Sequence, residues 1–236
     1  MNSEPDIASL ATLVTEPARA AILLHLLDGR SWTAAELARS AGVRASTASA
    51  HLKKLLAGNL IKVSPTGRHR YFRLASAEIA GLMEQLARSA PVRIPTTPGE
   101  RRASVALREC RLCFDHLAGR LGIAITEGMV RKAWLIEEEP WYRLTDIGSK
   151  ELLTLGVEPA SGRTCMDWSE RRLHLAGPLG RHLAQFLLSY KMIQRDARSR
   201  ALRVTPSGAE SIGSIFGLES DWRQRIAGVA NRTVID

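Results

Sequence analysis

The sequence has few of the features that mark exported, membrane-embedded or disulfide-stabilised proteins. It contains three cysteines in 236 residues, an odd number that cannot form a complete set of disulfide pairs. No stretch approaches the roughly 20 consecutive apolar residues of a membrane-spanning helix. The first residues also lack the basic and apolar regions of a signal peptide. We therefore expect a cytoplasmic protein with reduced thiols and no membrane partner.

Common catalytic motifs are also missing. The chain has no Gly-x-Ser-x-Gly, no His-Glu-x-x-His, no glycine-rich phosphate loop and no acidic metal cluster. One catalytic alternative remains, in which Cys113 acts as a nucleophile and His116 as its base. No third residue that would orient the base is in view. The sequence therefore predicts a protein that binds other molecules and is not an enzyme.

Positive charge exceeds negative charge along the whole chain. Lys and Arg number 33 against 24 Asp and Glu, which gives a net charge of +9. This excess favours a polyanionic partner such as nucleic acid, or it serves solubility alone. Hydrophobic residues make up 45% of the chain, enough to bury a core.

The first ninety residues show an ordered set of helix and strand signals. Apolar residues at helical spacing predict a helix that ends near Gly29. Thr33 and Glu36 have the capping-box spacing at the start of a short second helix, which Gly42 ends. A third helix follows directly, and residues 60–75 alternate as two strands around a Pro-Thr-Gly turn. These are the elements of a winged helix-turn-helix.

The third predicted helix has two different faces. Its inward stripe is apolar, whereas its outward face carries small hydroxyls and cations, which suit the major groove of DNA. A solvated surface without a partner is the alternative. The predicted DNA-binding residues are Arg44, Ser46, Thr47, Ser49, His51, Lys53 and Lys54 on this helix, and Arg68, His69 and Arg70 at the hairpin tip.

The stretch from about Leu10 to Ala75 resembles the ArsR family of bacterial transcription repressors. The likeness rests on EPARAAILLHLLDG, TAAELARSAGVRASTASAHLKKLLAGNLI and GRHRYFRLA. It implies that the third helix enters the major groove, that the hairpin touches flanking phosphates, and that a homodimer binds a pseudo-palindromic operator in double-stranded DNA. The sequence departs from the family's metal sensors, because its short helix, TAAELARSA, lacks their cysteine pair.

A proline-rich stretch separates this region from the rest. PVRIPTTPGERR holds three prolines in a dozen residues, which is incompatible with a helix or a central strand. We expect a DNA-binding and dimerisation domain at 1–90, a linker at 91–104 and a C-terminal candidate effector domain at 105–236. Within SAEIAGLMEQLARSA, before the linker, the apolar stripe predicts either dimer packing or monomer core.

The C-terminal half repeats itself. HLAGRLG begins at His116 and HLAGPLG at His174, and similar segments follow each in the same order. We expect the phrase to lie on helices, in two winged-helix-like units at about 106–160 and 161–220. The predicted fold is thus mainly α with small β-wings: an N-terminal winged helix-turn-helix followed by two repeated winged-helix-like units.

The cysteines of this half lie near the repeated phrase. If residues 110–116 were helical, Cys110, Cys113 and His116 would face one point, and the second copy would add Cys165, Asp167 and His174. Thiolates and imidazoles suit Zn²⁺ or another borderline or soft divalent metal. Core packing, a thiol redox switch, or a small-molecule site formed by the aromatic residues of this half are the alternatives.

We interpret the whole chain as a one-component transcription regulator, a homodimeric repressor that senses a small molecule, a metal ion or a thiol oxidant through its C-terminal domain. The alternative is an architectural DNA-binding protein that responds to no effector.

Overall fold

A computed structural model describes residues 4–197 and 199–227. The chain divides into two units. The first comprises Met1–Ala87 with Ala197–Arg200, and the second comprises Arg88–Asp196 with Ala201–Asp236.

The first unit combines helices with a small antiparallel sheet of strand order β1-β3-β2. Its elements are α1 (Ile7–Thr15), α2 (Pro17–His25), a short 3₁₀ helix (Leu26–Asp28), β1 (Trp32–Thr33), α3 (Ala34–Ala41), α4 (Ala45–Ala57), β2 (Ile61–Thr66), β3 (His69–Leu74) and α5 (Ala77–Ser89).

Local signals set the boundaries of α3. Thr33 accepts a hydrogen bond from the backbone N–H of Glu36, and the Glu36 carboxylate accepts the backbone N–H of Thr33. Gly42 ends the helix in the left-handed conformation, with φ of +67°. The chain then turns directly into α4, so the winged helix-turn-helix predicted from the sequence is confirmed.

The core of this unit lies between its helices and its hairpin. Leu23 of α2, Leu37 of α3 and Leu55 of α4 are fully buried, and Phe72 of β3 is nearly so. Truncating one such leucine to alanine costs about 2–5 kcal/mol in a typical core, so these contacts hold α4 in place. Within the described residues no single helix could cross a membrane, although the bent pair Ile7–Thr15 and Pro17–Asp28 together has the length and composition.

The second unit is built from hairpins and helices in alternation. Its strands form an antiparallel sheet of order β6-β7-β8-β9 and the separate pairs β4-β5 and β10-β11. Its elements are α6 (Pro98–Glu109), β4 (Arg111–Cys113), β5 (His116–Ala118), α7 (Gly119–Arg131), β6 (Leu135–Glu138), β7 (Trp141–Leu144), α8 (Asp146–Thr154), β8 (Gly162–Met166), β9 (Leu173–Ala176), α9 (Gly177–Ser189), β10 (Ile193–Arg195), β11 (Leu202–Val204), α10 (Pro206–Phe216) and α11 (Trp222–Ile226).

One order of elements occurs twice in this unit. A hairpin, a helix of 13 residues, a second hairpin and a further helix run from β4 to α8 and again from β8 to α10. Thr145 and Thr205 cap the last helix of each set through their side-chain oxygens. Descent of the two sets from one winged-helix-like unit stays a prediction.

The structure corrects the expectation that the HLAG phrase is helical. His-Leu-Ala is the end of a strand in both copies, and the helix begins only at the following glycine. Gly119 and Gly177 turn the chain there with φ of +80° and +75°. A Cβ at Gly122 or Gly180 would lie 2.6 or 2.7 Å from the carbonyl oxygen of the leucine in the same phrase. Both glycines of the phrase therefore serve a tight junction between strand and helix.

The predicted linker at 91–104 is wrong over its second half. Residues 98–104 belong to α6, because Thr97 and Glu100 form a capping box and Pro98 takes the first helical position. Proline is tolerated there since its missing N–H would have no partner within the helix.

Candidate functional site

Helix α4 has one buried and one exposed face. Ala48, Leu52 and Leu55 pack inward, and Leu56 is half-buried. The residues of the exposed face are Arg44, Ser46, Thr47, Ser49, Lys53 and Lys54. The Ser49 hydroxyl donates to the carbonyl oxygen of Ala45 at 3.0 Å, which leaves its oxygen lone pairs to accept from a partner.

His51 differs from the other predicted DNA-binding residues of α4. It is half-buried, and its Nδ1 lies 3.4 Å from a carboxylate oxygen of Glu16 at the start of α2. The structure therefore places His51 against the protein's own helices.

The hairpin β2–β3 presents a basic tip. Arg68, His69 and Arg70 are all exposed. The Arg70 guanidinium lies 5.6 Å from the centre of the Phe72 ring, and the Arg68 Nε–H donates to the ring nitrogen of His69 at 3.4 Å. The tip thus carries cations at the far end of a hairpin whose base is buried.

Two further basic residues on this hairpin escaped the sequence analysis. Lys62 and Arg73 are exposed and lie directly opposite each other across β2 and β3. Like charges at opposed positions destabilise a hairpin, and a row of phosphates would relieve that repulsion. The two-residue alternation that starts at the buried Ile61 could have indicated that Lys62 faces outward.

In the second unit, two hairpins each place a cysteine directly opposite a histidine. Cys113 of β4 is the cross-strand partner of His116 of β5, and Cys165 of β8 is the partner of His174 of β9. Directly opposed side chains share one face of a hairpin.

The four side chains meet in one buried cluster, which we call the Cys/His cluster. The candidate ligand atoms of Cys113, His116, Cys165 and His174 all lie within 4.8 Å of one another. The two Sγ atoms are 4.0 Å apart, and the imidazole rings are stacked with centroids 5.2 Å apart. Cys113, His116 and His174 expose 3%, 7% and 1% of their surface, and Cys165 is half-buried.

A second layer of contacts orients one of the imidazoles. The Nδ1 atom of His116 is 3.3 Å from one carboxylate oxygen of Asp115, and the other oxygen of that carboxylate accepts a hydrogen bond from the Arg181 Nε–H at 2.7 Å. In the described part of the chain, Nε2 of His116 and both ring nitrogens of His174 are buried and lack a hydrogen-bond partner of good geometry. A carboxylate on one ring nitrogen is the usual support of a metal-ligating histidine.

Charge accumulates within the cluster. Contacts with Cys113, His116 and His174 hold the pKa of the Cys165 thiol far below its usual range, although burial opposes this shift. Burial would lower the pKa of His116, but Asp115 and Cys165 raise it to about 9. Cys165 and His116 therefore each favour the charged form of the other.

Cys110 lies outside the Cys/His cluster, because residues 110–116 are a helix end and a hairpin, and the predicted single helix is wrong. Side chains alternate along a strand, so Cys110 and Leu112 enter the hydrophobic core while Cys113 faces the other way. Burial raises the pKa of the Cys110 thiol well above its ordinary value.

Asp167 also lies outside the Cys/His cluster. Its carboxylate forms a fully buried ion pair with Arg111 at 2.8 Å and accepts backbone N–H groups of Gly119 at 2.7 Å and Ser169 at 2.8 Å. Burial would raise the pKa of Asp167, but Arg111 and these donors hold it well below its usual range. Asp167 therefore joins β4, α7 and the loop after β8, which positions the two hairpins.

The alternative small-molecule site has weaker structural support. Trp134, Tyr142 and Trp222 of the second unit are buried in its core. In a surface cavity of about 260 Å³ beside α7, Arg120 already pairs with Glu170 at 3.3 Å. A second cavity beside α7, of about 450 Å³, is within the roughly 300–1,000 Å³ of most ligand pockets, but Glu127, Arg131 and Glu137 make much of its lining charged.

The first unit therefore has the exposed polar helix and basic hairpin of a winged helix-turn-helix DNA-binding protein. Residues 14–64 match the family model described as helix-turn-helix domain. The chain is also 39% identical over 212 residues to the HTH-type transcriptional regulator YdfF of Bacillus subtilis strain 168, across 86% of this chain and 94% of YdfF. It belongs to this family of helix-turn-helix transcriptional regulators, and the class predicted from the sequence is confirmed.

Two solved structures resemble parts of the chain. One is the homodimeric winged helix-turn-helix domain of a possible ArsR-family regulator from Mycobacterium bovis, with 26% identity and a TM-score of 0.32 over 36% of this chain and 86% of that one. The other is the cadmium sensor CMTR of Mycobacterium tuberculosis, with 28% identity and a TM-score of 0.31 over 38% of this chain and 94% of that one.

Proposed function

We propose that this transcription regulator is a homodimeric repressor that binds a pseudo-palindromic operator, and that its second unit receives the signal that changes DNA affinity. The observation that supports the proposal most strongly is the exposed face of α4, which carries Ser46, Thr47, Lys53 and Lys54. The buried apolar residues of the same helix fix this face in position.

The exposed residues divide into two functional groups. Ser46, Thr47 and Ser49 offer hydroxyls to base edges, whereas cations on α4 and on the hairpin neutralise phosphates. Phosphate contacts set affinity and position, and base contacts set sequence preference. The proposed phosphate-binding residues are Arg44, Lys53, Lys54, Lys62, Arg68, Arg70 and Arg73, with His69 beside them.

Two apolar helix faces support the homodimer. In α1, Ile7 is 72% exposed, and no residue of this helix is fully buried. In α5, Ala80 and Met83 are buried while Leu86 is 42% exposed. A second copy that covers these faces would hold two α4 helices at half-sites about 34 Å apart, one turn of DNA.

The second unit supports a regulatory function, with a metal ion, a thiol oxidant or a small molecule as the candidate signal. It carries its own core and the buried Cys/His cluster. An architectural DNA-binding protein would need no such cluster. A cytoplasmic location, where the chromosome of a bacterium lies, is part of the proposal.

Selection of bound duplexes from a random-sequence pool tests this function, followed by titration of the selected duplex at several salt concentrations. We expect a pseudo-palindromic sequence bound by two chains, with log affinity falling by about 0.9 per phosphate neutralised for each unit of log salt. Binding without sequence preference would instead indicate an architectural protein, and affinity independent of salt would contradict the proposed DNA face.

A further inference from the structure

We propose that Cys113, His116, Cys165 and His174 form a tetrahedral site for one Zn²⁺ ion, or another thiophilic divalent metal, per chain. The metal would tie hairpin β4–β5 to hairpin β8–β9. Only the regulatory consequence of this site rests on the proposed function, because metal binding itself can occur whether or not the protein responds to it.

The set of donor atoms favours zinc. Two thiolates and two imidazoles are a common ligand set of structural zinc sites. Two thiolates at about 2.3 Å from a tetrahedral zinc lie roughly 3.8 Å apart, and the Sγ atoms of Cys113 and Cys165 are 4.0 Å apart. All four ligand atoms therefore reach one point with small adjustments of the side chains.

The imidazole nitrogens without hydrogen-bond partners also indicate a missing ligand. Nε2 of His116 and the ring nitrogens of His174 are buried, and the described residues offer them no hydrogen-bond partner of good geometry. Leaving a buried polar atom without a partner costs about 1–3 kcal/mol. A metal would bind one nitrogen of each imidazole, Nε2 of His116 and one of the two in His174, whereas core packing alone leaves all three without a partner.

The arrangement of the hairpins also favours a metal site shared between them. Each contributes one opposed Cys–His pair, so neither hairpin alone holds four ligands, and the site forms only when the two hairpins meet. The buried Arg111–Asp167 pair at 2.8 Å already joins the same two chain segments. Asp115 supports His116 on its other nitrogen, as is usual for a metal-ligating histidine.

A regulatory consequence follows from this position. Helix α6 ends at Glu109, two residues before β4, and it is the first helix after residues 91–97. Removing the metal would leave the two hairpins joined by fewer contacts. The unit proposed to receive the signal thus has a centre whose occupancy alters its rigidity.

Full-length protein purified without oxygen and without added metal tests the site by metal analysis and by titration of the metal-free form with Co²⁺ and Zn²⁺. We expect one equivalent of metal, and we expect the intense visible bands of tetrahedral cobalt with a sulfur-to-cobalt charge-transfer band. No uptake of Zn²⁺ or Co²⁺ by the metal-free protein, a weak octahedral cobalt spectrum, or a Cys113–Cys165 disulfide that persists in the presence of a thiol reductant would overturn the proposal.

Matched variants distinguish the loss of a metal ligand from the loss of the fold. Cys113→Ser and His174→Ala should no longer bind one equivalent of metal. Cys110→Ala and His182→Ala remove a thiol and an imidazole outside the Cys/His cluster, and these two variants should still bind one equivalent. Asp115→Asn, at a partly exposed position, should keep the fold by circular dichroism and weaken metal affinity about 10- to 100-fold. Unchanged affinity in Asp115→Asn and His174→Ala would contradict the assignment.

The selected DNA duplex provides the second readout. Binding of one metal without any change in DNA affinity would refute the regulatory consequence and leave the metal site intact. Binding of one metal by a protein that shows no specific DNA binding would refute the proposed function and leave the site intact. Specific DNA binding by a protein that takes up no metal would refute the site alone.

Discussion

The Sγ atoms of Cys113 and Cys165 lie 4.0 Å apart although the residues are 52 positions apart in the chain. Each cysteine is opposed by a histidine across its own hairpin. The two halves of the second unit therefore resemble each other in side chains as well as in the order of elements. Each half contributes one thiol and one imidazole to the Cys/His cluster.

Replacing Asp167 with Asn should destabilise the second unit strongly. The substitution keeps the side chain's size but leaves the Arg111 guanidinium as an unpaired buried charge, which typically costs about 3–5 kcal/mol. The free energy of unfolding in urea measures this cost. Glu138→Gln is the matched control, because it breaks an exposed 2.8 Å pair with Arg143, and exposed ion pairs contribute little to stability. Equal effects would contradict the structural role of Asp167.

Replacing Ser46 and Thr47 together with Ala should reduce sequence-specific DNA affinity while dimerisation persists. Loss of contacts to base edges costs about 1–3 kcal/mol per contacted base, so we expect at least a fivefold loss on the selected duplex and little change on random DNA. Fluorescence anisotropy measures both affinities, and sedimentation checks the dimer. The control Thr154→Ala removes an exposed helical hydroxyl of α8. An unchanged preference for the selected duplex would exclude Ser46 and Thr47 from base contacts.

Replacing Lys62 with Thr should weaken binding to all DNA sequences equally. Two lost phosphate contacts, one from each chain of the proposed dimer, make the slope of log affinity against log salt less steep by about 1.8. The free protein should gain a few tenths of a kcal/mol, since the substitution removes a like charge opposite Arg73. Lys150→Thr, at an exposed position of α8, should leave the slope unchanged. An unaltered slope in the Lys62 variant would remove this hairpin face from the DNA interface.

Replacing Gly180 with Ala should destabilise the second unit by about 1–3 kcal/mol, the usual cost of overpacking. The added Cβ would lie 2.7 Å from the carbonyl oxygen of Leu175 and 3.1 Å from the Cβ of His116. Thermal unfolding measures the loss. Gly99→Ala in α6 is the control, because its Cβ would meet nothing closer than 3.9 Å. If both variants were equally stable, the glycine of the repeated phrase would not serve a close approach.

The sequence predicted the first unit well because its signals are local. The capping box at Thr33 and Glu36, the stop at Gly42 and the alternation along the hairpin each depend on residues a few positions apart. The second unit was harder, since HLAG has no local feature that separates a strand end from a helix, and the left-handed glycine becomes evident only in three dimensions.

The Cys/His cluster could be predicted only in part for the same reason. Cys113, His116, Cys165 and His174 were all candidates, but helical spacing wrongly added Cys110, and proximity in sequence added Asp167. Pairing of Cys165 with His174 depends on the register of β8 and β9, which the eight intervening residues do not reveal. Arg111 and Asp167 are 56 positions apart, and their burial as an ion pair is likewise a property of the folded unit.

Control of DNA binding by the Cys/His cluster is measured by titrating the selected DNA duplex, at one salt concentration, with metal-free and zinc-loaded protein and with Cys113→Ser under the same two conditions. We expect the affinity of the unaltered protein to change about fivefold or more on zinc binding, the usual range of coupling between two sites. We expect the Cys113→Ser variant not to respond. Equal affinities of the metal-free and zinc-loaded unaltered protein would contradict the claim that the Cys/His cluster regulates DNA binding.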